Sequence, residues 1–166
     1  MRLPDRVHFF SYATGVSIEL PVGFTVGAEQ GGGVTYVRHD DEAVVAAVLV
    51  TVVPGAPPGG AALLVDGMAA VGQVEHRAVR EIDHEQVDLA ELHFPNGLPS
   101  GGVAAAEPEA VELLGSDLWV TFAAVTFGGR VVTVTAAAPY SQAEQYRATF
   151  AEALESCRFI AQEAAQ

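Results

Sequence analysis

Apolar and polar positions alternate with a period of two along much of this chain, a pattern that predicts more strand than helix. Val16, Ile18 and Leu20 alternate with Ser17 and Glu19, and Pro21 and Gly23 close the segment. With the aromatic run 7–12 and the turn Ala13-Thr14-Gly15 before it, this reads as a hairpin. After the loop Gly31-Gly32-Gly33, residues 34–39 and 43–53 form two strands joined by Asp40-Asp41-Glu42. Apolar residues occupy both parities of the second, which predicts a central strand covered on both faces. Residues 78–82 and 86–94 make another hairpin around Asp83-His84-Glu85. There Val87 and Leu89 share one parity and Leu92 and Phe94 the other, a mismatch that a bulge near Ala90 would reconcile. Residues 118–127 and 130–138 flank Gly128-Gly129, a two-residue turn that signals a hairpin. Residues 103–114 are read as an edge strand, although Glu107-Pro108-Glu109 also suits a helical turn.

Two segments change to helical spacing. Leu64, Met68 and Val71, with Ala61 one turn earlier, predict an amphipathic helix over 60–76, weakened by Gly67 and Gly72. Tyr146, Phe150, Ala153, Leu154 and Cys157 share one face of a helix over 141–157, which Ser141 and Glu144 open at capping-box spacing. The order is strands, helix, strands, helix, without a βαβ rhythm. It predicts an α+β sandwich: a mostly antiparallel sheet covered by helices. No linker or repeat divides the 166 residues, so 1–166 reads as a single domain that frays over 161–166.

Composition narrows the partners. Half of the residues are hydrophobic, enough for a core. The 21 acids against 8 bases give a net charge of −13, and all the bases are arginine. Nucleic acid and anionic membrane surfaces are therefore excluded as expected partners. The longest apolar run, 43–53, is too short to span a bilayer as a helix. The N-terminal segment is too polar for a secretory signal, and the lone Cys157 can form no internal disulfide. These features predict a cytoplasmic protein.

The opening Tyr12-Ala13-Thr14-Gly15-Val16-Ser17-Ile18-Glu19-Leu20-Pro21-Val22-Gly23-Phe24 resembles the start of PsbP-like domains. So does the end: Gly128-Gly129-Arg130, a strand to Ala138, Pro139-Tyr140, a helix, then Glu155-Ser156-Cys157-Arg158-Phe159. That fold group takes in photosystem II extrinsic proteins, a Ran-binding nuclear transport factor and actinobacterial LpqN-type lipoproteins. The resemblance, over about residues 8–160, implies a PsbP-like α/β/α sandwich acting through protein contacts rather than catalysis. Its motifs are turns and core positions, so it carries over no functional residue. The lipid-attachment cysteine of the LpqN type has no counterpart near this N-terminus.

Candidate chemistry is sparse. His84, Glu91 and His93 are a candidate divalent-metal set, with zinc or nickel as suitable ions and His76 approaching from a helix end. No Gly-x-Ser-x-Gly elbow, P-loop or EF-hand spacing is present. Cys157 falls on an apolar helix face, as a small buried hydrophobe does. The loop 95–102 offers an exposed contact with Phe94, Asn96, Gly97 and Leu98, and Asp40, Asp41 and Glu42 offer an acidic one. The sequence therefore predicts a non-catalytic binding or scaffold module, needing no cofactor, that meets a protein partner with a basic surface. A small-ligand or metal-binding protein is the alternative. Edge strands are compatible with a monomer or a homodimer.

Overall fold

Gly128 and Gly129 turn with φ of +61° and +77°, the left-handed region that a two-residue hairpin turn requires. They join β8 (Leu118–Phe127) to β9 (Arg130–Pro139), the middle of a seven-stranded sheet. Residues 5–30, 32–55, 59–99 and 110–160 are described in this computed structural model. The sheet adds β3 (Phe24–Gln30), β4 (Gly33–Asp40) and β5 (Ala43–Pro54) on one side, and β7 (Glu85–Phe94) and β6 (Gln73–Ile82) on the other. Its order is β3-β4-β5-β9-β8-β7-β6, and every neighbouring pair is antiparallel. A second sheet, β1-β2-β10, joins β1 (Arg6–Ser11), β2 (Val16–Pro21) and β10 (Arg158–Phe159).

Both faces are buried at the middle of the large sheet, which is why its central strands are apolar at both parities. On one face Trp119, Ala123 and Val125 of β8 meet Tyr146, Phe150 and Leu154 of the last helix, α3 (Ala143–Glu155), with Val16 and Ile18 of β2. On the other, Leu118, Val120 and Phe122 meet Ala61 and Val65 of α1 (Gly60–Val71) and Leu113 and Leu114 of the short α2 (Val111–Leu114). Each fully buried Leu or Phe contributes about 1.5–3 kcal/mol. The layers are helices, large sheet, and then α3 with the small sheet, so the expected α+β sandwich is present. No described helix is long and apolar enough to cross a membrane.

Four local expectations are corrected. The first helix stops at Val71, not at 76, because Gly72 lies against Phe94; a Cβ at Gly72 would sit 2.7 Å from Phe94 Cζ. Val71 is exposed, and the chain from Gln73 enters β6. β7 has no bulge at Ala90: Val87 and Leu89 face α3 while Ala90, Leu92 and Phe94 face α1, so the two parities serve two cores. The register shift lies on β6 instead, between Val74 and His76. Residues 111–114 are helical rather than extended, and residues 100–109 lie outside the described part. A 3-10 turn, Tyr140–Gln142, delays α3 to Ala143; Gln142 takes the N-cap without a side-chain bond, and Glu144 turns to Arg147 instead of closing a capping box. The tail 161–166 is also outside the described residues.

Candidate functional site

The outer strand β6 overhangs the last helix. α3 packs on β2 and β9, leaving the β6–β7 margin of the same face uncovered, and Ile82 is the one buried residue of β6. A cleft of about 410 Å3 results. Its floor is Leu89 and Glu91 of β7 with Thr121 of β8. Arg147, Ala151, Leu154 and Glu155 of α3 form one wall, and β6 supplies the opposite rim through Glu75, His76, Arg80 and Ile82. The register shift of β6 places the extra residue, Glu75, on the cleft side beside His76.

Ion pairs line the cleft. Arg147 Nε lies 3.4 Å from Glu91 Oε1, its Nη1 donates to Glu144 Oε1 at 2.8 Å, and its Cζ stands 5.9 Å from the centre of the Trp119 ring. Arg80 faces Glu155 at 3.8 Å. Tyr140 donates its hydroxyl to Glu75 Oε2 at 2.9 Å; this bond, reinforced by the carboxylate's charge, holds the phenol pKa above its ordinary value. Three carboxylates, two guanidinium groups and one imidazole therefore share the cleft with the apolar side chains of Ile82, Leu89, Ala151 and Leu154. Such a surface can hold an amphipathic group whose charge sits at the rim, but it presents no nucleophile with a base. The one thiol, Cys157, is buried, which pushes its pKa up to about 12.

The structure separates the proposed metal ligands. His84 occupies the two-residue turn between β6 and β7 with φ +65°. His93 is nine positions further along β7, about 30 Å away at strand rise, and Glu91 is about 23 Å from His84. Glu91 and His93 do share the α3 face. Glu91 pairs with Arg147, and His93 Nε2 lies 2.6 Å from Asp117 Oδ1 with its ring on Tyr140. His76 lies in β6, not at a helix end. Among the described residues no group of three or more His, Cys, Asp or Glu is arranged to hold a metal ion.

Of the candidate contact residues, Phe94 is 2% exposed beneath Gly72 and presents no surface. The loop after it is docked: Gly97 N–H donates to Phe94 O at 3.1 Å and Leu98 N–H to Leu114 O at 2.8 Å. Asn96 is exposed, and Leu98 packs against the α1-side core. Asp40, Asp41 and Glu42 are exposed at the β4–β5 turn, at the same end of the sheet as Phe94 but with β9 and β8 between. The cleft residues Glu75, Thr121, Arg147 and Glu155 carried no sequence motif. The sole hint was an arginine beside the apolar stripe of the last helix.

No protein-family model matches the sequence, and no curated protein matches it. Solved structures match in shape. LpqN of Mycobacterium tuberculosis, described as involved in cell envelope biogenesis, matches with a TM-score of 0.58 at 8% identity, over 94% of this chain and 91% of its own. The PsbP protein of Synechocystis (CyanoP) gives 0.57 at 11% identity, over 95% and 94%. The Ran-binding protein Mog1p of Saccharomyces cerevisiae gives 0.54 at 10% identity, over 93% and 95%. A Bacteroides thetaiotaomicron protein gives 0.58 at 9% identity; this chain, 96% covered, spans 50% of its length. At such identities the likeness speaks for shape alone. That shape is the PsbP-like fold: an antiparallel sheet between helices, shared with PsbP, Mog1p and LpqN.

Proposed function

We propose that this chain is a non-catalytic binding module that engages a protein partner at the cleft between β6, β7 and α3. The cleft carries the reading: apolar Ile82, Leu89, Ala151 and Leu154 beside charged Glu75, Arg80, Glu91, Arg147 and Glu155 suit a side chain with an aliphatic stem and a polar end. The net charge of −13 favours a basic partner surface and speeds encounter with one. Mog1p, which shares the fold, is Ran-binding, and protein binding by this chain is an analogy to it. The acidic turn Asp40-Asp41-Glu42 adds to the field without touching the cleft. The reading takes the chain to work in the cytoplasm, in keeping with its single thiol. A second reading, a small amphipathic ligand in the same cleft, is favoured by its volume, which lies in the range of small-molecule sites.

Ala151 is exposed on α3 and lines the cleft, so Ala151→Trp fills it without disturbing the core. Wild type, Ala151→Trp and a turn variant (Asp40→Asn, Asp41→Asn, Glu42→Gln) are to be compared as baits in a lysate of the source cell. A protein held by wild type and by the turn variant but lost to Ala151→Trp supports the cleft. Equal capture by Ala151→Trp overturns the cleft as the site. Capture of nothing specific by wild type overturns protein binding and leaves the small-ligand reading.

A further inference from the structure

Among the described residues β6 pairs with β7 alone, and one edge of this ten-residue strand meets no other described strand. Apart from buried Ile82 and half-buried Ala78, its residues are exposed. Past the register shift, residues 76–82 pair without interruption, and Val79 is their midpoint. Arg77, Val79 and Glu81 face the α1 side; His76, Ala78, Arg80 and Ile82 face the α3 side. Natural edges carry charges to refuse other strands. These charges refuse most strands but not their own copy.

We infer that β6 is a homodimer interface, at which two copies join their large sheets edge to edge, antiparallel, with Val79 on a two-fold axis normal to the sheet. In this register Val79 meets Val79 of the second copy, and Arg77 meets Glu81 of the second copy on each side of the axis. Ala78 meets Arg80 and His76 meets Ile82 on the other face. An axis at Arg77 or Arg80 sets a guanidinium against itself, and one at Ala78 sets Arg77 against Val79 and His76 against Arg80, so that no opposite charges meet within the regular segment. Val79 is therefore the one centre that pairs opposite charges and spans the whole regular segment. Arg77 is already tied to Asp66 of α1, so each crossing becomes a chain of alternating charge. Such rim pairs set register and specificity more than affinity.

Apolar surface on the same side supplies the adhesion. Val79 is 54% exposed, Val74 48%, and Leu63 and Val71 of α1 about 60% each. Leu63 lies three residues before Asp66, on the flank of α1 that reaches β6. The inference does not depend on the cleft's ligand. Because the axis is normal to the sheet, it sets the two clefts on one face of the dimer, either side of β6.

Sedimentation velocity at about 100 μM protein and about 0.15 M salt, where the Debye length is about 8 Å, reads the assembly with its charge screened. A dimer is expected for wild type. Glu81→Arg should weaken it at least about tenfold, and Arg77→Glu with Glu81→Arg should restore it. Val79→Cys should cross-link to a disulfide dimer under mild oxidation while Val74→Cys does not; buried Cys157 leaves this readout clean. A monomeric wild type, a dimer indifferent to Glu81→Arg, or Val79→Cys that stays uncoupled would each overturn the proposal. Loss of partner capture in Ala151→Trp with the dimer intact separates this interface from the cleft.

Discussion

His93 and Tyr140 lie ring upon ring, 3.6 Å between centroids and 16° from parallel. The stack fastens the end of β7 to the turn that launches α3, and Asp117 and Glu75 hold the two rings by their polar atoms. Aromatic pairs contribute about 0.5–1.5 kcal/mol beyond their buried area. His93→Ala should therefore lower the melting temperature by a few degrees. Tyr140→Phe, which keeps the ring and loses only the bond to Glu75, should lower it less. Thermal unfolding followed by circular dichroism checks the order of the two.

Trp119 is the chain's one tryptophan, fully buried and parallel to Phe150 at 5.6 Å. Phe150→Ala should cost about 3–5 kcal/mol and open the space above the indole. A red-shifted emission from the folded variant, together with a lower urea midpoint, is the expected pair of observations.

The fold was legible where pattern and turn chemistry agreed. Gly128-Gly129 marked its hairpin, and the double apolar parity of β5 marked a centre strand. Where two faces compete, the pattern misleads: the parity change in β7 has the form of a bulge, and only the packing shows that Val87 and Leu89 serve one core while Leu92 and Phe94 serve the other. Helical spacing at Leu64, Met68 and Val71 overran because it is blind to Phe94 packing on Gly72 from a distant strand. The cleft was illegible because Glu75, Glu91, Thr121 and Arg147 are scattered in sequence and meet only through strand order and the place where α3 lands.

Alkaline pH should unfold the protein through two buried acids. Burial pushes Tyr36 up to about 12 from 10.0, with the Glu29 charge adding to it, and pushes Cys157 up to about 12 from 9.0. The unfolded chain loses these protons first, so stability is complete below pH about 9 and falls as the pH rises towards about 12. Urea midpoints across this range should decline, and in Cys157→Ala the decline should begin nearer pH 10. A flat profile would contradict the assignment.

Gly97→Ala should be among the harshest small changes. Gly97 has φ +81°, and a Cβ there would lie 2.6 Å from the Gly115 backbone, which cannot retreat as a flexible side chain could. Left-handed strain alone costs about 1–3 kcal/mol. Gly128→Ala, with a similar φ but open space, should cost less, and chemical denaturation of the two variants separates strain from collision.

Zinc and nickel should leave the melting temperature unchanged, since His84 and His93 stand at opposite ends of β7. A ligand that prefers the folded state would raise it, by about 2.7 kcal/mol of stability at a hundredfold excess over Kd. A rise abolished by His84→Ala would show that the turn binds metal by some other route.

Burying the centre of the large sheet on both sides has a consequence for how its strands find their places. A strand with one wet face is held in step because a slip of one residue turns its apolar set to water. β8 has no wet face along residues 118–125, so the same slip would exchange one greasy surface for another. Its alignment must come from shape and from its turns: the bulk of Trp119 against the alanines at 123 and 124, and the tight Gly128-Gly129 link that admits one offset with β9. Lengthening that link by a single residue would loosen the alignment of the most buried hairpin in the molecule.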